Sequence, residues 1–276
     1  MNKKLLSLDL DGTILVEAHK LERELAEILK LLADKGDIIL FNTGRTYAYS
    51  RCIFEELDFT FYGAFTNGVA LARFPGKEII YEIPFSAHLL PEIRRVFKKH
   101  RVDPIFQGGI RNNDITVFEP LEYPSEMLMA IIREEPHRRR EVRSITEDNS
   151  RDFVSAFGCS TNERGVKELT AELNTIPGLY SVAFLHSYYQ DTYWITVGSD
   201  AINKGAPVRR ISELHKLEKE SIYAFGNDRN DIPMLLEAGH PVTVADAAAE
   251  VTALAEEIVD TPDEGGVLNY LKALIT

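Results

Sequence analysis

The chain has 276 residues, 45% hydrophobic and 27% charged, enough for two globular domains with real cores. A net charge of −12 argues against a nucleic-acid backbone or an anionic membrane surface as partner. No apolar run approaches the ~20 residues of a membrane span, and the two cysteines, Cys52 and Cys159, are too few for a disulfide framework or a thiolate metal site.

The start, Met1 to Leu8, is apolar but is cut by Asp9 and Asp11 and lacks a small-residue cleavage site, so it is no signal peptide and a cytoplasmic location is expected. Lys4 to Leu8 predicts a short strand running into Asp9-Leu10-Asp11-Gly12-Thr13. Apolar residues at Leu21, Leu25, Ile28, Leu29 and Leu32 predict a helix to Ala33, closed by Gly36. Asp37 to Phe41 is a second strand, ending in Asn42-Thr43-Gly44-Arg45; a helix over Tyr47 to Leu57 and a strand through Ala64-Phe65 into Thr66-Asn67-Gly68 follow. Strands alternating with helices in this way predict a doubly wound parallel sheet.

The rhythm then changes. Ala70 to Arg73 and Glu78 to Ile83 flank Phe74-Pro75-Gly76-Lys77 as a hairpin. Helices over Leu89 to Lys99, Ser125 to Glu134 and Arg164 to Leu173 mix with strands near Pro104 to Phe106, Ile115 to Phe118, Phe153 to Phe157, Tyr180 to Phe184 and Thr192 to Val197. After Asn203 the alternation returns, with strands over Ser221 to Phe225 and Pro241 to Val244 and a closing helix from Gly266. The expected fold class is therefore α/β: a doubly wound, Rossmann-like parallel-sheet core of residues 1–83 and 191–276, with an inserted α+β module of residues 84–190.

In an open parallel sheet, ligands bind beyond the carboxyl ends of the strands. Asp9 to Thr13, Asn42 to Arg45, Thr66 to Gly68 and Gly226-Asn227-Asp228-Arg229-Asn230-Asp231 all lie at expected strand ends, and Lys204-Gly205 at an expected helix start. Acids, hydroxyls and a lysine thus converge on one crevice. Asp9 and Asp11, two apart on an extended end, point the same way; like charges ~4 Å apart repel by several kcal/mol at an effective dielectric near 20. A shared proton or a hard cation relieves this, and Mg²⁺ favours a few carboxylates with phosphate oxygens. Gly12 permits a sharp turn, and Thr13 suits a backbone nest facing an anion.

The hhhhDxDGT start, Thr43-Gly44-Arg45, Lys204-Gly205 and Gly226-x-x-x-Asn230-Asp231 resemble motifs one to four of the haloacid dehalogenase (HAD) superfamily. Thr66-Asn67-Gly68 and an insert between motifs two and three resemble its Cof-type branch, whose inserted cap is of the C2B kind. The resemblance implies Mg²⁺-dependent hydrolysis of a small phosphorylated metabolite through an aspartyl-phosphate. It assigns Asp9 as nucleophile, Asp11 as general acid and base, Thr43 to the transferring phosphoryl group and Lys204 to its charge. Gly12, Gly44, Arg45, Asn67 and Asn230 fall to phosphate and substrate binding. The implied metal set is Asp9, Asp11 (through its backbone carbonyl), Asn227, Asp228 and Asp231.

Motif four departs from the family pattern, Gly-Asp-x-x-Asn-Asp, because Asn227 stands where the ligating aspartate is usual. Asn227 is then the aligned ligand, Asp228 is close enough to restore the missing charge, and Asp231 with Asn230 orients the surroundings. A closing cap would exclude water and place substrate choice between Pro84 and Gln190.

A phosphomutase or phosphotransferase shares this machinery and passes the group to a second hydroxyl. A non-catalytic phosphometabolite sensor shares the fold, although Asp9, Asp11, Thr43 and Lys204 together count against it. Neither nucleic acid nor membrane is expected as a partner, and the chain is expected as a monomer or homodimer. The run His137-Arg138-Arg139-Arg140 reads as a solvated face, Tyr188, Tyr189, Tyr193 and Trp194 as core of the insert, and His186 and His240 as residues without a metal role.

Overall fold

Strand β1 (Leu5–Leu8) is buried along its whole length, as the unbroken apolar run requires of a strand covered on both faces. The computed structural model describes residues 3–17, 19–145, 152–185, 189 and 191–275. The chain divides into two units, Met1–Tyr81 with Ile202–Thr276, and Glu82–Ala201. Among the described residues no helix is long and apolar enough to cross a membrane.

The first unit holds β1, α1 (Arg23–Asp34), β2 (Ile38–Asn42), α2 (Tyr47–Phe54), β3 (Phe61–Phe65), β4 (Ala70–Phe74) and β5 (Glu78–Glu82), the last residue of which opens the second unit. Its sheet runs β14 (Glu257–Val259), β13 (His240–Val244), β12 (Ile222–Gly226), β1, β2, β3, β4, β5 among the described residues, the first three being supplied by the chain after Ala201. β1 pairs in parallel with β2 (Leu5 opposite Ile38) and with β12 (Ile222–Gly226; Leu5 opposite Ile222), and β3 to β4 is the antiparallel hairpin step. Strand order therefore reverses at β1. That reversal opens a crevice at the carboxyl end of β1, where Asp9 begins.

Helix α1 buries Leu25, Leu29 and Leu32, the stripe its periodicity predicts. A core cluster joins Leu5, Leu40, Tyr62 and Ala64 of the sheet to Val208 and Ile211 of α6 (Gly205–His215), Met234 and Leu235 of α7 (Ile232–Glu237) and Val251 of α8 (Ala249–Thr252). A second layer is aromatic: Phe41 lies 5.2 Å from Phe54 and 5.3 Å from Phe61 between ring centroids. β13 (His240–Val244), β14 (Glu257–Val259) and α9 (Gly266–Ile275) complete the unit; β14, a three-residue edge strand, is too short to show a period in sequence. His240 stacks on Tyr223 and its Nδ1 stands 2.9 Å from Glu256.

The second unit holds α3 (Leu90–Lys99), β6 (Ile105–Gly108), β7 (Thr116–Phe118), α4 (Glu126–Glu134), β8 (Arg139–Glu141), β9 (Phe153–Ser160), α5 (Glu163–Leu173), β10 (Leu179–Leu185) and β11 (Tyr193–Ser199). Its sheet runs β10-β11-β9-β6-β7-β8, antiparallel except for β7 with β8. Helices α3 and α5 cover one face through Ile93, Phe97, Val166 and Leu169, and α4 packs Met127, Leu128 and Ile131 on Ile105 and Phe157. The compact unit spans Glu82–Ala201, against the 84–190 drawn from the sequence, and β11 carries its end past Gln190 by hydrogen-bonding to β9 and β10.

The run His137 to Arg140 is not simply a solvated face. Arg138 and Arg139 turn inward as β8 joins β7; Arg139 donates from Nε to the Ile131 carbonyl (3.2 Å) and from a terminal nitrogen to Thr116 Oγ1 (3.0 Å), and Arg138 pairs with Glu135. Trp194 stacks on Phe157 at 4.6 Å, and Tyr189 and Tyr193 pack on the unit's clusters. Tyr188, His186 and Gln190 lie outside the described residues. Cys159 is buried and Cys52 exposed.

Candidate active site

Asp9 continues β1 by one ladder bond, its N–H donating to the Phe225 carbonyl (2.9 Å), so its carboxylate is delivered to the switch point by the sheet itself. The chain then turns through Leu10, which accepts from the N–H groups of Ile14 and Leu15. Gly12 carries the turn at φ +72°, where a Cβ would also stand 2.3 Å from Asn227 Nδ2. Thr13 follows, buried, with Oγ1 3.2 Å from both Asp9 Oδ2 and Asn227 Oδ1.

Lys204 comes from the other side of the first unit, at the start of α6. Its side chain is 1% exposed and its Nζ lies 2.6 Å from Asp9 Oδ1 and 2.6 Å from Asp231 Oδ1. The Asp9 carboxyl is raised to about 7, chiefly by burial, with Lys204 acting against the rise and the charges of Asp231 and Asp11 adding to it. For Lys204, burial disfavours the ammonium, but Asp9 and Asp231 outweigh that and hold it above its ordinary range. The lysine therefore stays charged. A cation near Asp9 acts in the same direction as Lys204 and favours the carboxylate.

Asp231 is fully buried and spends both oxygens on structure: Oδ1 on Lys204, Oδ2 on the N–H groups of Asn227 (2.9 Å) and Asp228 (3.0 Å). It thereby ties the turn after β12 to the lysine, and a Cβ at Gly226 would meet its Cβ at 2.5 Å. Asp228 is exposed and accepts from the Arg229 N–H (2.7 Å) as cap of the turn Arg229–Asp231.

Thr43 is buried one residue beyond β2 and accepts from the Arg45 N–H through Oγ1 (3.1 Å); its N–H bonds the Ala64 carbonyl, and its own carbonyl accepts from Asn67 N–H. No distance ties it directly to Asp9. Arg45 reaches Asp11 with Nε to Oδ2 at 2.8 Å and a terminal nitrogen to Oδ1 at 2.5 Å. Asn67, at φ +56°, accepts from Asn230 Nδ2 (3.0 Å), and its Oδ1 lies 3.2 Å from where a Cβ on Gly44 would stand. Two clusters result: Asp9, Thr13, Lys204, Asn227 and Asp231 inside, and Asp11 with Arg45, then Asn67 with Asn230, at the rim.

Two contributors were given no role by the sequence. Asn42 donates from Nδ2 to the Lys204 carbonyl (2.7 Å) and so fixes the helix start that carries the lysine, and its Oδ1 is buried without a partner. Asn203 Oδ1 receives the Gly205 N–H (3.0 Å). The signal for Asn42 was its place beside Thr43 at a strand end.

The donor chemistry fits a hard divalent cation. A hydroxyl carries one proton, so of the two oxygens 3.2 Å from Thr13 Oγ1 only one receives it at a time. Asp9 Oδ2 and Asn227 Oδ1 thus share an oxygen-rich spot of the kind Mg²⁺ prefers. Among the described residues no group of three His, Cys, Asp or Glu side chains stands ready for a metal.

Known proteins place the chain. A family model described as haloacid dehalogenase-like hydrolase matches residues 6–271. The 5-amino-6-(5-phospho-D-ribitylamino)uracil phosphatase YitU of Bacillus subtilis is 23% identical over 270 residues, spanning 97% of this chain and 96% of its own. The HMP-PP phosphatase of Serratia proteamaculans is 24% identical over 273 residues, spanning 98% and 94%. Among solved structures, a haloacid dehalogenase-like hydrolase from Bacteroides thetaiotaomicron superposes with a TM-score of 0.79 at 20% identity, covering 99% of this chain and 100% of that one. The HAD subclass IIB sugar phosphatase BT4131 gives 0.71 at 22%, covering 99% of each. The chain belongs to the haloacid dehalogenase-like hydrolases, in their Cof-type phosphatase branch.

Proposed function

We propose that this chain is a Mg²⁺-dependent phosphatase that hydrolyses small phosphorylated metabolites through a phosphoryl group carried on Asp9. One observation carries the proposal: a buried carboxylate at the sheet's switch point has Lys204 Nζ 2.6 Å from one oxygen and leaves the other facing Thr13 and Asn227. Asp9 Oδ2 attacks phosphorus, and the ester oxygen leaves with a proton from Asp11. Water then attacks the phosphoryl-aspartate, giving its proton to Asp11, and inorganic phosphate departs. Lys204 offsets the charge that accumulates on the phosphoryl oxygens and on Asp9. Thr43 and Gly44, at the end of β2, receive the phosphoryl group, and Arg45, Asn67 and Asn230 contact it or the leaving group.

A bound Mg²⁺ supplies neutralisation of the phosphoryl charge as the carboxylate approaches. When bound, it would be held by Asp9, Asn227 Oδ1 and the Asp11 carbonyl, while Asp231 orients the lysine and the turn. The substrates named for the relatives are small organic phosphates: the phosphoribitylaminouracil of YitU, HMP-PP and, for BT4131, a sugar phosphate. They support the same class here.

The test is a panel of phosphorylated metabolites with Mg²⁺, run beside Asp9→Asn and a chelator control. Phosphate release that both controls abolish is the expected result. Hydrolysis that survives Asp9→Asn overturns the covalent role, and transfer to an added sugar in excess of hydrolysis overturns the phosphatase assignment.

A further inference from the structure

On the phosphatase reading above, we propose that the cation site is charge-poor and that Asn227 sets its affinity: the chain binds Mg²⁺ weakly, and a carboxylate at 227 tightens it. Of the acidic side chains Asp9, Asp11, Asp228 and Asp231, three are committed elsewhere. Asp231 gives Oδ1 to Lys204 and Oδ2 to two backbone N–H groups. Asp11 gives both oxygens to Arg45. Asp228 is exposed and caps its own turn.

That leaves Asp9, whose Oδ1 is already paired with a buried ammonium. Its partner across the Thr13 hydroxyl is a neutral amide oxygen. The donor set therefore offers one formal negative charge to a divalent cation, beside a positive lysine. Hard-cation affinity is tuned by the charge count of the oxygen ligands and the rigidity of the site. The amide is seated by its surroundings: Nδ2 lies over Gly12, 2.3 Å from where a Cβ would be, so the side chain is aimed into the site and an isosteric carboxylate takes its place without new volume.

The measurement is calorimetric titration of Mg²⁺ into chelator-treated full-length protein without substrate, on wild type, Asn227→Asp and Asp228→Asn, with circular dichroism to confirm folding. Wild type is expected in the millimolar range, with Asn227→Asp at least about tenfold tighter and Asp228→Asn within about twofold, as for an exposed, screened charge. Wild-type binding in the low micromolar range, an unchanged Kd in Asn227→Asp, or a tenfold loss in Asp228→Asn overturns the proposal. If Asn227→Asp folds poorly without metal, its thermal midpoint against Mg²⁺ concentration reads the same Kd by mass action. Because no substrate is present, tight binding by the variant with no hydrolysis by any form would sink the phosphatase reading alone.

Discussion

Arg45 grips Asp11 at both oxygens, Nε to Oδ2 at 2.8 Å and a terminal nitrogen to Oδ1 at 2.5 Å, with the arginine side chain 14% exposed and the aspartate 58%. The arginine is the anchored partner. Its planar fork sets the direction in which an otherwise solvated carboxyl points, a service lysine performs only as a point charge. In the proposed reaction Asp11 must face the leaving oxygen. Arg45→Ala is expected to lower kcat by roughly 10–100-fold, part of what general acid–base catalysis supplies. Arg45→Lys should recover only a fraction. Steady-state kinetics on the best substrate of the panel checks this; near-normal kcat in Arg45→Ala would show that Asp11 needs no guide.

Lys204 separates two buried carboxylates that would otherwise repel each other. Lys204→Met keeps the volume and removes the charge, leaving Asp9 and Asp231 buried and uncompensated, at a cost of about 3–5 kcal/mol. Urea unfolding reads this directly. Adding Asp231→Asn should restore part of the lost stability but not the activity, since the charge that faces the phosphoryl group is still missing. Turnover is expected to fall roughly 10²–10³-fold in either form. A single variant as stable as wild type would contradict the coupling among the three.

Asp9 and the turn after it were legible in sequence for a local reason, whereas Lys204, Asn227 and Asp231 were brought to them only by their places at an expected helix start and strand end. An apolar strand ending in Asp9-x-Asp11-Gly12 leaves the backbone few options, and the strand period and the turn glycine act within a few residues. What could not be read depends on partners far along the chain. Asn42 meets the Lys204 carbonyl across 162 residues, and Arg139 finds Thr116 and the Ile131 carbonyl only once β8 has joined β7. A charge run carries no mark of such partners, so Arg138 and Arg139 looked solvated. Motif four shows the same limit at one-residue scale. Asn227 and Asp228 are adjacent, and only the turn held by Asp231 decides that the amide faces Asp9 while the acid faces solvent.

Gly12 is the tightest point of the β1 turn, with a positive φ and an amide where a side chain would go. Gly12→Ala forces both a left-handed alanine, at about 1–2 kcal/mol, and displacement of Asn227. Activity and Mg²⁺ binding are therefore expected to fall together, while unfolding free energy falls by only a few kcal/mol. Gly76, whose Cβ would meet nothing within 4 Å, is the matched control. Loss of Mg²⁺ affinity in Gly76→Ala as large as in Gly12→Ala would remove the steric explanation.

His215, at the end of α6, has Nε2 2.9 Å from the Tyr62 hydroxyl; a neutral ring protonated at Nδ1 accepts the phenol proton there. Burial, then the charges of Lys3 and Arg73, hold its imidazole below the ordinary value, and burial raises the Tyr62 phenol, so the tyrosine keeps the proton it donates. The sign follows from linkage. An unfolded chain protonates His215 near about 6.5, the folded one at lower pH, and between those points the unfolded state binds more protons. The stabilising effect is complete above about 6.5 and is lost as pH falls toward the folded value, below which the loss stops growing. His215→Gln keeps an acceptor for Tyr62 and cannot titrate. Urea melts of the two proteins from pH 8 to 5 should therefore show wild type losing stability more steeply than the variant on the acid side. Parallel curves would mean that His215 keeps its ordinary proton affinity in the folded chain and that Tyr62 is not fixing its neutral form.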